Sequence, residues 1–586
     1  MTVIMKELKE FTFAISAIIV LLFIQARTDL ALPDYMSQIV NTGIEQKGLE
    51  GAVSVRYDYI FRIGGKMLII ALIGMAASIL VSLLSARTSA SLGRNLRGKL
   101  FNKVTSFSNA EFDSFSTASL ITRSTNDIQQ IQMFLVMLLR MVFFAPILGI
   151  GGVIKALRTN TSMAWIIFIG VLGIFTLVFF LFNIALPKFK KVQKLVDKVN
   201  LVMREALNGL MVIRAFNTQE YEEKKFDNAN RDLTKTNLFV SRLMVTMMPT
   251  MMLIMNGITL LIIWVGAHEI NSGAMQVGDM MAFMQYTMQI IMSFLMISMV
   301  SIIMPRATVS AQRIGEVLEE DISIKDPLNP EKLDPNAKGR IEFRNVSFKY
   351  PKAEEYALKN ISFIAEPGET TAFIGSTGSG KSTLVNLIPR FYDVTGGEIL
   401  LDDLDIRKIK LHDLREKIGY VPQKSILFSG TIESNLKYGK NFDAESEDIQ
   451  QAIDIAQAKD FINEKEKGIL SEIAQGGTNV SGGQKQRLSI ARALVEKPEI
   501  FIFDDSFSAL DFKTDAALRR AMNDLIKGRT VLIVAQRINT IMNAEKIIVM
   551  DEGKIAGVGT HKELMKHCEV YKQIALSQLS EEELAI

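Results

Sequence analysis

Residues Gly375, Ser376, Thr377, Gly378, Ser379, Gly380, Lys381 and Ser382 follow one another as a glycine-spaced loop closing on a lysine and a hydroxyl, the spacing of a phosphate-binding P-loop. Glycines let backbone N–H groups turn inward around phosphate oxygens, the Lys381 ammonium serves the β- and γ-phosphates, and the Ser382 hydroxyl suits Mg2+. The chemistry is that of a nucleoside triphosphate. The run Ile500-Phe501-Ile502-Phe503-Asp504 reads as a buried strand that delivers the Asp504 carboxylate to the same phosphates, as a second magnesium-site group acting through water. A third motif, Val480-Ser481-Gly482-Gly483-Gln484, opens a helix on small residues whose exposed N–H donors make an anion site. It lies far along the chain from the P-loop, which points to a nucleotide held by another subunit.

These groups need elements to hold them. The P-loop follows the apolar run 371–374 and precedes the helical stretch 383–388, while runs 500–503 and 531–534 alternate with helical segments. That is the pattern of an α/β nucleotide-binding sheet, expected over residues 341–586. Residues 306–340, charged and carrying Pro327, Pro330 and Pro335, read as a linker. Residues 1–305 differ in kind. Apolar stretches at 67–84, 163–186, 243–267 and 280–304 are long enough to cross a bilayer, and two more, 11–24 before Arg27 and Asp29 and 133–154 around Arg140, bring the spans to six.

Composition agrees with a chain divided between lipid and water, because 48% of residues are hydrophobic while 22% are charged. A net charge of +3 over 586 residues gives no electrostatic case for nucleic-acid binding, which would want a concentrated basic face. The single cysteine, Cys568, cannot form an internal disulfide and suits a reducing cytosol. Lys6 and Lys9 precede the first apolar run without a small-residue cleavage site after it, so the run reads as an uncleaved span. Lys and Arg gather between spans two and three (Arg87, Arg94, Arg97, Lys99, Lys103, Arg123) and between four and five (Lys188, Lys190, Lys191, Lys194, Lys198), whereas 268–279 has neither residue. Both termini and the nucleotide domain are therefore expected on the cytoplasmic side of a cell membrane.

The order of P-loop, Val421-Pro422-Gln423, Ser481 to Gln484, Asp504 and Ser508-Ala509-Leu510-Asp511 resembles the ATP-binding-cassette family, and the six spans with long cytoplasmic loops resemble its bacterial multidrug half-exporters. The resemblance implies an α-helical six-span transmembrane domain joined to an α/β P-loop cassette, with ATP and Mg2+ as cofactors. It implies that Tyr350 stacks on adenine, that Thr383 joins the nucleotide-binding set beside Ser382, and that Gln423 links magnesium and the attacking water to the membrane domain. By the same resemblance Ser481, Gly482, Gly483 and Gln484 cap the γ-phosphate in a partner's site, and coupling helices lie near 114–120 and 215–221.

Two departures carry weight. The family's water-polarising glutamate is Asp505 here, whose carboxylate sits one methylene, about 1.5 Å of C–C bond, further back. A misplacement near 1 Å costs roughly 100-fold in rate. The family's γ-phosphate histidine is Gln536, which donates a hydrogen bond but cannot become cationic. A degenerate ATP site beside an intact signature motif resembles one subunit of a heterodimeric exporter. The expected substrate is an amphiphilic, drug-like compound, with a lipid or peptide exporter and a membrane-anchored ATP sensor as the other readings. Methionines 247, 248, 251, 252, 255, 284, 288, 292, 296 and 299 either form an adaptable binding surface or pack and face lipid. Arg27, Asp29 and Arg140 either snorkel to the bilayer edge or pair across a cavity.

Overall fold

The computed structural model describes residues 6–44, 55–334, 337–439, 444–523 and 526–579; Pro335 of the expected linker lies outside them. Among the described residues, six helical runs are long and apolar enough to cross a membrane: Lys6–Ile44, Tyr57–Thr105, Thr117–Thr159, Ala164–Asn208, Gln219–Asn271 and Val277–Glu319. Each contains one of the expected apolar stretches. The second run includes a helix of 49 residues, which at 1.5 Å per residue extends about 70 Å, more than twice the hydrocarbon thickness. The helices therefore continue far beyond lipid. This corrects the linker expected from Arg306, because the change to charged residues there marks the edge of the apolar stretch and not the end of the helix. Ala307, Ala311, Ile314 and Val317 keep helical spacing and stay buried, and the helix ends at Glu319.

Chain contacts divide the molecule into two compact units, one of residues 1–104 with 118–319 and one of residues 105–117 with 320–586. In the first unit, small residues let helices approach where lipid offers little hydrophobic drive to pack them. A Cβ on Gly149 would lie 2.6 Å from the Ser293 hydroxyl, on Gly151 2.4 Å from Leu30 Cδ1, and on Gly152 2.9 Å from Ile290 Cγ1. The third run thus packs on the first and sixth through a glycine face. Polar groups across the same helices satisfy each other: Lys155 and Tyr286 both donate to Asp34, and Gln289 donates to the Asp29 carbonyl at 3.2 Å. The ion pair of this region is therefore Asp34 with Lys155. Arg140 lines a separate cavity of about 230 Å³ with Gln25 and Ser78. Of the methionines singled out in the fifth and sixth spans, Met299 has a side chain outside the described residues, and none of the others is buried.

The second unit contains two main sheets. β1 (Ile341–Phe348), β2 (Leu358–Ala365), β4 (Gly396–Leu401) and β5 (Leu404–Asp405) form an antiparallel sheet in the order β2-β1-β4-β5. β3 (Thr370–Gly375), β6 (Ile418–Val421), β9 (Ile500–Asp504), β10 (Thr530–Val534), β11 (Lys546–Asp551) and β12 (Lys554–Gly559) form the other, in the order β12-β11-β3-β10-β9-β6. Only β12 runs antiparallel to its neighbour. Short β7 (Gly430–Thr431) and β8 (Glu472–Ile473) pair separately. Every residue of β9 and β10 is buried, as central parallel strands covered on both faces should be. β10 registers Val534 against both Asp504 and Phe373, so β9 and β10 finish level while β3 runs on past them to Gly375.

Residues 105–117 belong to this unit although they connect two spans. The short helix there is Asn109–Ser114, and the next long run begins at Thr117, so the short helix lies ahead of the 114–120 where a coupling helix is expected. Its start is fixed by a capping box: Ala110 N–H donates to the Ser108 hydroxyl at 3.2 Å and Ser108 N–H to Glu111 at 2.7 Å. Burial pushes the Glu111 carboxyl up, but bonds from Ser108 and Ser323 outweigh it and leave it lowered. Ala110 packs against the sheet's hydrophobic core, and the buried Tyr392 hydroxyl donates to Asp113 at 3.0 Å. In the first unit, the second short helix is Leu210–Ala215, likewise ahead of the expected 215–221; Met211, Val212 and Phe216 beside it are exposed.

The Tyr392 bond should be worth about 1–2 kcal/mol, so Tyr392→Phe should speed amide exchange in 109–114 by roughly tenfold. Hydrogen–deuterium exchange should find β9 and β10 unchanged. Unaltered exchange in 109–114 would mean that this bond does not hold the helix.

Candidate nucleotide site

The P-loop is the turn from β3 into helix Lys381–Leu387. Gly378 and Gly380 have φ of 85° and 97°, values that L-residues rarely adopt. Gly380 is also pressed from outside, since a Cβ there would lie 2.7 Å from Leu358 Cδ2. At Gly375 a Cβ would come within 2.0 Å of the Met550 carbonyl. Lys381 folds over this loop and donates to the Gly375 carbonyl (2.9 Å), the Ser376 carbonyl (2.7 Å) and the Ser379 hydroxyl (3.3 Å). The other loop residue, Thr377, lies exposed between Ser376 and Gly378.

Next to Lys381, the Ser382 hydroxyl donates to Asp504 Oδ1 at 2.8 Å. This brings together two of the three residues expected at a metal. A hydroxyl and a carboxylate are hard oxygen donors of the kind Mg2+ takes, so these two fit the ion. The third, Gln423, is turned elsewhere. Its Nε2 donates to Asp505 Oδ2 at 3.2 Å, and Gln536 Nε2 donates to the same oxygen at 2.9 Å. One carboxylate oxygen thus receives an amide from each flanking loop. The Asp505 backbone is held as well, at φ 47°, with its N–H donating to the Val534 carbonyl at 3.0 Å.

Burial dominates the electrostatics of these groups. It pushes Asp504 up, reinforced by the Asp505 charge and opposed by the Ser382 bond and Lys381. It also pushes Asp505 up, against the Gln423 bond, Lys381 and Arg537, and lowers Lys381 in spite of both carboxylates. All three are driven toward their neutral forms. A multiply charged ligand with a divalent cation would reverse that tendency.

Tyr350 stands beside the cradle. Its hydroxyl is 2.8 Å from the Thr383 hydroxyl, and its ring lies edge-on to Phe348 and Tyr392. The signature motif forms its own unit. Ser481 N–H donates to Gln484 Oε1 (2.9 Å) and Gln484 N–H to Ser481 Oγ (3.3 Å), a capping box opening helix Gly482–Val495. Gly482 leaves open space above that turn, while Gly483 lies close to the Ala509 carbonyl. Among the described residues no hydrogen bond joins Ser481, Gly482, Gly483 or Gln484 to the P-loop. Sequence reasoning missed Gln486, whose Oε1 accepts from Ala509 N–H at 3.1 Å and ties the signature helix to the loop after Asp505. A buried glutamine four residues from Gly482 looks like any helix residue until its partner is seen.

Comparison with known proteins gives the context of this geometry. Residues 15–294 match the ABC transporter transmembrane region, and residues 358–508 match the ABC transporter family. An uncharacterised ABC transporter ATP-binding protein of Mycobacterium tuberculosis is 37% identical over 575 residues, 98% of this chain and 97% of that protein. One of Bacillus subtilis is 37% identical over 98% of both chains, and the ATP-dependent lipid A-core flippase of Pseudomonas aeruginosa is 33% identical over 85% of this chain and 82% of its own. The fold is shared with a bacterial Atm1-family ABC exporter solved with ATP bound, at a TM-score of 0.77 and 24% identity, covering 98% of this chain and 99% of that one. Matched in both halves and along nearly its whole length, this chain belongs to the ABC transporter family as a half-exporter, six membrane-spanning helices joined to an ATP-binding domain.

Proposed function

We propose that this half-exporter is the degenerate-site subunit of a heterodimer: it holds ATP at its own P-loop with slow turnover, and its signature motif completes a faster site on a second half-transporter. The observation that carries the reading is the double amide clamp on Asp505. A carboxylate that is to take a proton from water needs a free oxygen pointed at that water. Asp505 is one methylene shorter than glutamate, and with Oδ2 held by both Gln423 and Gln536 only Oδ1 is left, on a carboxylate whose orientation those two amides fix. The binding groups remain in place around it. Lys381 and the P-loop N–H groups hold phosphates, Ser382 and Asp504 hold Mg2+, Tyr350 and Thr383 border the base, and Ser481 to Gln484 present a preformed cap to the partner's nucleotide. Mg2+, when bound, neutralises β- and γ-phosphate charge. Nucleotide sandwiched between the two cassettes draws them together, and Asn109–Ser114 passes that movement to the spans. Both termini and the cassette lie in the cytoplasm, and the substrate is a small amphiphilic or drug-like compound. Two relatives, from Pseudomonas aeruginosa and Hahella chejuensis, named as lipid A-core flippases at 33% and 32% identity, favour a lipid as the second reading.

Assembly is tested by purifying the chain alone and with a co-expressed partner half-transporter. The chain alone should hydrolyse ATP slowly and the pair much faster; a homodimer as active as any pair would refute the proposal. Within the pair, Ser481→Arg should abolish turnover through the partner's site, whereas Asp505→Ala should leave most of it. Equal, near-complete losses from the two changes would place the competent site here instead.

The site should also be repairable, since only the water-polarising and γ-phosphate groups depart from the family pattern. Asp505→Glu with Gln536→His should raise ATP turnover of the pair severalfold, recovering part of the roughly 100-fold expected from misplacing the base by about 1 Å. Substrate efflux per ATP should fall, because hydrolysis shortens the time the cassettes stay together. Unchanged turnover, with ATP binding intact, would mean that other residues limit the site.

A further inference from the structure

The first and third helical runs, with Ile70 of the second, enclose an open cavity of about 1080 Å³ near the turn that joins the third and fourth runs. Its walls are of two kinds. Phe23, Ile24, Ile147, Ile150 and Ile154 make an apolar side. The charged groups are Arg27, Asp34, Lys155 and Arg158. Lys155 and Tyr286 both donate to Asp34, so that carboxylate is matched within the helices. Arg27 and Arg158 have no hydrogen-bond or ion-pair partner among the described residues. Asp29, two residues from Arg27, lies toward Gly74 of the second run and does not line the cavity.

Both arginines are exposed, and two guanidiniums beside an apolar wall, with no counter-charge among the described residues, are placed to meet an anion from outside. Each offers a planar fork of N–H donors suited to phosphate or carboxylate oxygens. We infer that this cavity binds the acidic head of a membrane amphiphile, with Arg27 and Arg158 on the head group and its apolar part along Ile147, Ile150 and Ile154. The inference deepens the exporter reading by fixing the charge class of the molecule, and it rests on that reading only for the claim that the bound amphiphile is cargo. The occupant is an amphiphile from the bilayer and not a free phosphate, because the cavity has a long apolar side that a soluble ion leaves unused.

The test is a binding measurement without ATP, so its failure is separate from any failure of the exporter reading. The delipidated full chain in detergent is titrated, by native mass spectrometry, with dioleoyl phosphatidylglycerol and with dioleoyl phosphatidylcholine, which differ only in the head group. The wild-type chain should prefer phosphatidylglycerol, and Arg27→Gln with Arg158→Gln should lower that preference roughly tenfold, the loss expected of two charge-assisted contacts at an open site. Asp34→Asn should raise it, because Lys155 then joins the free cations, and damage to the fold cannot produce a gain. A preference unchanged in both variants overturns the inference. So does inorganic phosphate displacing phosphatidylglycerol at equal concentration, which would mean that the apolar wall contributes nothing.

Discussion

Burying Lys381, Asp504 and Asp505 together at the carboxyl ends of β3 and β9 is the constraint on which the nucleotide domain is arranged. Desolvation disfavours the charged form of each, and an uncompensated buried charge is expensive. Every neighbour answers that cost with a hydrogen bond. Carbonyls of Gly375 and Ser376 receive the ammonium, Ser382 serves Asp504, and Gln423 and Gln536 serve Asp505. The strands exist to bring these donors level. Val534 registers against Asp504 on one side and Phe373 on the other, so the loops after β9 and β10 start level and the P-loop starts just beyond them, at the end of β3.

The membrane half obeys the same rule in a harsher solvent, where an unsatisfied polar group finds no water. Asp34 takes two donors from two other helices. Where the helices continue past lipid, Asp127 accepts from Ser310 at 2.9 Å and pairs with Arg313 at 3.2 Å, and Arg123 donates to Glu316 at 3.0 Å. The third and sixth runs are thus joined by glycine contacts in one part and by buried ions in another. Against that background Arg27 and Arg158 stand out as groups with no partner among the described residues.

How much of this was legible in the sequence depended on the range of the interaction. The P-loop, the β9 carboxylate and the signature cap are local patterns, and each appears where its spacing put it; the six spans are likewise a property of continuous windows. Non-local pairings were not legible. Arg27, Asp29 and Arg140 drew attention because they interrupt apolar runs, yet the pair that forms is Asp34 with Lys155, 121 residues apart. Helix ends were misjudged for a related reason. The charged stretch from Arg306 reads as a linker, although buried Ala307, Ala311, Ile314 and Val317 show the helical period running on through it. The short helix Asn109–Ser114 has a usable sequence signal, Ser108 with Glu111 three residues later, the spacing of a capping box.

The two family departures at the ATP site are better understood as one. Asp505 and Gln536 are joined by a 2.9 Å hydrogen bond, and residues in one network do not contribute independently. The partly buried Asp505 carboxylate takes the neutral amide of Gln536 as one of its two donors, Gln423 being the other. A histidine in that place would have to share its proton between Asp505 and a γ-phosphate. Gln423 closes the network from the β6 side, so the loop associated with magnesium and water is bound to the carboxylate instead. A substitution at either Asp505 or Gln536 therefore changes the surroundings of the other, and the two positions act on the site as a unit.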